Sequence, residues 1–419
     1  MKLPPSLRAL HYRNFQLFMS GQSISLIGTW MQRIAVSWLV YEMTHSAFML
    51  GLVAFSGQIP MMFLSPYAGA YVDRHSRYRT LLVTQFASML QAGLLALAVL
   101  THNYNILIII SLSVMLGIIN AFDVPSRQAL MIVLVEKKQD LPNAIALNST
   151  MVTLARLVGP AVAGILLSTV GEGICFLINF LSFMAVITTL LMMKINLKDR
   201  KKNKEPIWNN LIQGLTYLKR NPALKHAIIL MAMVSLLIMP YITLLPVYAK
   251  SVFKGDASTF GWLNAISGLG ALMGAIYVAR LNAARNLLKV MIGAGMLISG
   301  SLILFSYITY LPLSLLILMA GEGGLLTFIA ATNTYLQTNV EENMRGRVIS
   351  YYAMAFGGML PIGSLIVGLC AHLTSAPFTV LVEGICGIIT LSLFIPAFKK
   401  TTKRAEEKAR RVKLADQLN

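Results

Sequence analysis

Residues 69–79 read GAYVDRHSRYR, a charged segment held between two long apolar runs, 46–71 and 80–101. One carboxylate, Asp73, stands among Arg74, Arg77 and Arg79. A segment so charged sits in water, so the chain turns here between two elements that lie in something else. Gly69 permits two helices to approach closely. Asp73, near helix ends, is placed to pair with an arginine of a neighbour or to face a helix N-terminus. On spacing alone, a solvated turn that obeys charge rules explains the segment equally well.

Composition says what the flanking elements lie in. The chain has 419 residues, of which 12% are charged and 56% hydrophobic, with a mean hydropathy of +0.69. That combination indicates a polytopic membrane protein rather than two or three soluble domains. The net charge of +19 is not interleaved with stacking aromatics, so no nucleic-acid partner is expected. Cys175, Cys370 and Cys386 form no CxxC or Cys/His spacing, and no metal, disulfide frame or cofactor is expected. The first run, 14–41, is too long for a secretory leader and lacks a small-residue cleavage site, which makes it a retained helix.

A helix needs about 20 apolar residues to cross a bilayer. Runs of that length occur at 14–41, 46–71, 79–101, 104–124, 142–169, 172–194, 224–249, 258–280, 286–308, 312–336, 347–372 and 376–397. The expected fold is therefore an all-α membrane protein with twelve transmembrane helices in two six-helix bundles, 1–194 and 224–397. A polar linker at 195–223 joins them, and a basic tail follows at 398–419. The linker contains WNNLIQGLTYLKR, an amphipathic piece expected to lie along the membrane with Trp208, Leu211, Leu215 and Leu218 toward lipid, or else to form a short soluble helix beside it.

The 35 Lys and Arg are distributed unevenly over the loops. With the N-terminus in the cytosol, only Lys250 and Lys254 fall on the far side, and only Arg33 and Arg156 fall within helices. This partition places both termini in the cytosol. It also accounts for the net charge, since the tail can rest against anionic lipid or remain a solubilising extension.

The halves echo each other. GAYVDR at Gly69 has a degraded counterpart, GAIYVAR, at Gly274, and the fourth and tenth runs each end with an Asn followed by an Arg-bearing loop. The pattern Gly69-x-x-x-Asp73-Arg74-x-x-Arg77-x-Arg79 resembles the loop signature of the major facilitator superfamily, in its place between the second and third helices. Gly159, Pro160 and Gly164 in ARLVGPAVAG are similar to a fifth-helix motif of its antiporters. GTWMQRIAVSWLVYEMTHSA, FDVPSRQAL, LPNAIALNS and RGRVIS resemble the branch that holds the enterobactin exporter and macrolide efflux proteins. The resemblance spans essentially the whole chain. It implies alternating access about a central cavity lined by helices 1, 4, 7 and 10. It also implies that Asp73 latches the cytosolic side in the outward-open state, with Arg127 as partner and Arg345 or Arg347 joining.

Ionisable groups at bilayer depth are costly and so are functional candidates. They are Arg33, Asp123, Arg156, Glu322 and Glu383. Glu322 lies about 15 Å from either end of its run, near the midplane. It is the first candidate for a proton-binding carboxylate, with Arg33 as a nearby cation and Asp123 near the cytosolic mouth. The same residues would serve equally as structural ion pairs pinning helices, and Asp123 is a plausible partner for Arg156. Glu383, on a peripheral helix, is the weaker candidate. Asp123 and Arg127 share a face if the helix continues through Pro125.

The reading is a monomeric, multi-pass carrier of the bacterial inner membrane that exports a small amphipathic molecule in exchange for protons. A siderophore or related metabolite is favoured, and a multidrug or macrolide-type efflux pump is the alternative. A polytopic enzyme or a channel is the reading from a different class. No HExxH, GxSxG or GxxxxGK[ST] supports an enzyme or an ATP-driven pump.

Overall fold

The computed structural model describes residues 5–194, 207–281 and 286–418. Six long helices come first: α1 (Arg13–Thr44), α2 (Ala47–Arg74), α3 (Arg77–Leu100), α4 (Ile106–Val133), α5 (Leu141–Thr169) and α6 (Glu172–Leu191). A short α7 (Ile207–Arg220) leads to α8 (Pro222–Leu237), α9 (Ala257–Ala279), α10 (Leu287–Tyr307), α11 (Leu311–Asn339), α12 (Arg345–Leu373) and α13 (Ala376–Leu418). Polar side chains start several of them. Ser46, Ser76 and Asn105 accept hydrogen bonds from the amides of Met49, Arg79 and Ile108, and Asp256 caps α9 through Ser258 and Thr259. The charged stretch at 69–79 is thus the tight joint at which α2 ends and Ser76 starts α3.

Eleven helices of the described chain are long and apolar enough to cross a membrane. The twelfth long helix is α1, whose 32 residues extend about 48 Å. Its polar side chains Gln22 and Gln32 are turned inward and buried against its neighbours. Large apolar side chains such as Leu90, Leu94 and Leu97 of α3 stay exposed on the outside, as a lipid-facing surface requires.

Packing repeats between the halves. In the first, α1 packs on α5 and α6, α3 on α4 and α6, and α2 on α4. The second half makes the same set: α8 on α12 and α13, α10 on α11 and α13, and α9 on α11. The bundles meet where α2 lies on α12 and α5 on α9. Glycines set that distance. A Cβ on Gly164 would stand 2.6 Å from the Gly261 Cα, and one on Gly51 would stand 2.5 Å from the Ser364 carbonyl oxygen. Within the first bundle, a Cβ on Gly159 would meet the Trp30 Cβ at 2.6 Å. Small residues let membrane helices approach this closely.

Three details differ from the sequence reading. The run at 224–249 is not one regular helix. After Leu237 it passes through a 3-10 segment (Met239–Leu244), a single α turn (Leu245–Val247) and a π turn (Tyr248–Val252). Pro240 and Pro246 remove the amide donors that a continuous helix would need. Pro125, by contrast, does not interrupt α4, and Pro160 does not interrupt α5. Finally, α7 does not turn Leu218 outward. Leu218 is buried with Leu224, Ile212 and Leu215 are exposed, and Gly214 rests against Tyr351 and Arg347 of α12. The side chains of Trp208 and Leu211, and residues 195–206 of the linker, lie outside the described residues. So do Arg285 and the side chains of the basic tail, whose backbone continues α13 as far as Leu418.

Candidate functional site

The face carrying the helix ends at Arg13, Arg74, Arg77 and Arg345 is called the basic face, and the other the opposite face. Between them, at mid-depth, four helical segments bring charge together. Arg156 of α5 directs Nη2 to Glu322 Oε2 of α11 at 3.4 Å. The Tyr241 hydroxyl, from the 3-10 segment after α8, donates to Glu322 Oε1. Glu322 and Tyr241 are fully buried, while Arg156 keeps some exposure. From α1, the Arg33 guanidinium lies 4.6 Å from the centre of the Trp30 ring, and that of Arg156 lies 5.9 Å from the same ring. Arg33 stays exposed and has no acidic partner among the described residues.

The pair therefore crosses between the bundles, joining α5 of one to α11 of the other. A buried carboxylate needs a cation and hydrogen bonds to remain charged, and Glu322 has both. The cation is Arg156, where the sequence suggested Arg33. Two arginines and one acid leave the cluster with an excess of positive charge beside an aromatic ring, an arrangement suited to an anion with apolar parts.

Asp123 is elsewhere. It is buried inside the first bundle, where Oδ2 receives Arg127 Nη2 at 2.7 Å, and Oδ1 receives Gln85 Nε2 at 2.6 Å and the Thr84 hydroxyl at 3.0 Å. The continuous α4 puts Asp123 and Arg127 on one face. The pairing of Asp123 with Arg156 is not made, and Asp123 faces α3 rather than an aqueous path. Arg127 Nη1 also reaches Gln22 Oε1, at 3.5 Å. It is occupied within its own bundle rather than by Asp73.

At the basic face the expected latch is open. Asp73, Arg74 and Arg79 are exposed, Asp73 has no hydrogen bond or ion pair among the described residues, and no atom would meet a Cβ on Gly69 within 4 Å. Arg77 Nη1 donates to the Ala129 carbonyl at 3.2 Å, a contact within the first bundle. Arg345 is exposed, and Arg347 packs near Gly214 with Nη1 3.2 Å from Met344 Sδ.

At the opposite face the bundles are held together. Lys250 Nζ meets Glu42 Oε1 at 2.8 Å, the hydroxyls of Tyr41 and Ser251 are 2.8 Å apart, and Trp38 stacks on Phe260 at 5.8 Å. This latch was not among the contacts expected from the sequence. The signal was present, however, in Lys250, one of two lysines on the wrong side of the charge partition and facing an acid at the end of the first run.

Gln32 is taken up inside the first bundle: Asn179 Nδ2 donates to Gln32 Oε1 at 2.7 Å, and Gln32 Nε2 to Gln91 Oε1 at 3.0 Å. Among the aromatics, Trp38, Tyr241 and Phe328 are buried, while Phe63 and Trp262 face outward. A cavity of about 710 Å³ lies between α9, α10 and α11, on the flank of the second bundle and not at Glu322.

Comparison with known proteins gives a consistent picture. A model of the family described as transmembrane secretion effector matches residues 6–418. Over 398 residues the chain is 27% identical to the staphyloferrin A transporter of Staphylococcus aureus (strain NCTC 8325 / PS 47), covering 93% of this chain and 98% of that protein. It is 23% identical over 378 residues to the multidrug efflux pump Tap of Mycolicibacterium fortuitum, covering 88% and 92%. Among solved structures, a point mutant of the nucleoside transporter NupG superposes with a TM-score of 0.75 at 12% identity, covering 92% of this chain and 100% of that one.

Proposed function

We propose, from the premise that this chain belongs to the transmembrane secretion effector family of the major facilitator superfamily, that it is a secondary transporter exporting a small anionic, amphipathic molecule in exchange for protons. It acts as a monomeric carrier in the bacterial inner membrane, not as an enzyme or a channel, with the basic face in the cytosol. The observation that carries this reading is the asymmetry of the bundle contacts. The opposite face is held by Glu42–Lys250 and by the Gly164–Gly261 contact, whereas among the described residues Asp73 at the basic face makes no hydrogen bond or ion pair and a Cβ on Gly69 would meet no atom within 4 Å.

That asymmetry supports a carrier open on its basic face, which this reading places in the cytosol. Closing the basic face engages Asp73 with arginines such as Arg345 and separates the opposite face. The Arg156–Glu322 pair lies between the two, where either closure shifts α5 against α11. A proton on Glu322 removes its attraction for Arg156, so protonation and substrate binding bias the same movement.

The excess of Arg33 and Arg156 over Glu322 favours an anion such as a carboxylate siderophore, in keeping with the full-length likeness to the staphyloferrin A transporter. The cation-preferring alternative, drug efflux, draws on Glu322 itself and on the likeness to Tap. Proteoliposomes holding the purified chain decide between them. An imposed pH gradient should drive movement of a metal-free carboxylate siderophore, and Arg33→Gln should weaken its apparent affinity about tenfold, roughly 1.4 kcal/mol. Flux indifferent to the gradient, or unchanged in Glu322→Gln, overturns the coupling. A cationic dye moved faster than the siderophore selects drug efflux.

A further inference from the structure

The mechanism above leaves one buried acid without a task. Glu383 of α13 is 4% exposed, and neither carboxylate oxygen has a hydrogen-bond partner among the described residues. The hydroxyl of Tyr248, which faces it, is also unpartnered and buried. The other polar group acting on the carboxyl is the backbone amide of Tyr241. From α10, the neighbouring groups are Ser299, whose hydroxyl donates to the Gly295 carbonyl, and apolar side chains such as Ile303. From α12, packed on the same helix, no titratable or charged group acts on it, and no cation faces it from any element among the described residues.

An ionised carboxylate in such surroundings would cost several kcal/mol with nothing to offset it, whereas the neutral acid is tolerated. We propose that Glu383 is a second proton-binding site of the carrier, occupied in this conformation, and that its proton leaves when the broken segment after α8 rearranges. This rests on the reading of the chain as a carrier with two conformations, and it adds where the proton resides.

The link to movement is Tyr241. Its hydroxyl holds Glu322 and its backbone amide faces Glu383, so one residue of the 3-10 segment stands between the two acids. Tyr248 opens the π turn of the same segment, and Lys250 of that turn makes the opposite-face ion pair. Breaks of this kind concentrate where a helix has to change its hydrogen bonding. A charged Glu383 would draw the Tyr241 amide and the Tyr248 hydroxyl toward itself. That shift would pull Tyr241 away from Glu322 and Lys250 away from Glu42, loosening the mid-depth cluster and the latch together.

The test uses the full-length protein in lipid nanodiscs. Infrared difference spectra should contain the carbonyl band of a protonated, non-hydrogen-bonded carboxylic acid that vanishes in Glu383→Gln and persists in Glu322→Gln. With spin labels across the opposite face, the ratio of closed to open forms should change by up to about tenfold per pH unit in the parent protein. It should be weaker in Glu383→Gln, which favours the closed-latch form, and the response that remains should be lost when Glu322→Gln is added. A band unaffected by Glu383→Gln, or a pH response in Glu383→Gln equal to that of the parent protein, overturns the proposal. The infrared result stands apart from transport: a band assigned to Glu383 in a protein that moves no substrate refutes the carrier reading and leaves the protonated acid.

Discussion

The crossing of α1 with α6 and that of α8 with α13 are the same joint made twice, and they are finished differently. Asn179 and Glu383 each stand seven residues past the first residue of their helices, Glu172 and Ala376. Asn179 is buried and bonded to Gln32, which passes the contact on to Gln91 of α3, and α1 runs through the crossing without a break. Glu383 is buried and has no hydrogen-bond partner among the described residues, and the helix it crosses leaves α geometry at Leu237. Gln32 and Tyr241 occupy matching places, each nineteen residues past the starts at Arg13 and Pro222. A neutral amide network rigidifies the first joint, whereas an ionisable group beside a broken helix gives the second joint two states. The first bundle is then the frame and the second the moving part.

The largest effect expected from that contrast lies at Asp123, the buried charge of the frame. Asp123→Ala removes the acceptor of Thr84, Gln85 and Arg127 at once and leaves a part-buried guanidinium unpaired. A loss of about 3–5 kcal/mol is expected for breaking such a pair from one side. Thermal unfolding in detergent micelles reads it. A change below about 1 kcal/mol would mean that the frame is not held in this way.

Next comes the joint itself, compared directly. Asn179→Leu leaves Gln32 Oε1 without its donor and should lower stability by about 1–3 kcal/mol. Glu383→Leu deletes a carboxyl that has no hydrogen-bond partner among the described residues, so it should be neutral or mildly stabilising while weakening the pH response. Equal losses at the two positions would erase the distinction between frame and moving part.

Sequence alone carried the number of long helices, their order and the echo between halves, because length, apolarity and loop charge are one-dimensional properties. The joint at 69–79 was legible for the same reason. Partners were not. Arg156 and Glu322 are 166 residues apart, and whether they meet depends on how two helices are rotated about their axes, which membrane helices apolar all round do not reveal. Thus Arg33 stood in for Arg156, and Asp123 was placed near a water path instead of against Gln85. The break after α8 was marked by Pro240 and Pro246. Pro125 and Pro160 carry the same mark inside helices that stay whole, so proline by itself did not single out the segment that departs from α geometry.

The smallest effect concerns the end of the moving part, the Glu42–Lys250 pair. Its side chains keep 33% and 43% of their exposure, so it contributes about 0.2–1 kcal/mol, screened by salt. Such a value is negligible for folding. It is sufficient to change the ratio of two conformations up to about fivefold, since 1.4 kcal/mol corresponds to tenfold. Glu42→Lys should therefore leave the unfolding temperature almost unchanged while raising the fraction of molecules open at the opposite face, as spin-label distances would report. The exchange Glu42→Lys with Lys250→Glu restores the attraction and should restore the parent ratio. If the exchanged pair behaves like the single variant, charge is not what holds that face, and the stacking of Trp38 on Phe260 together with the Gly164–Gly261 contact must hold it instead.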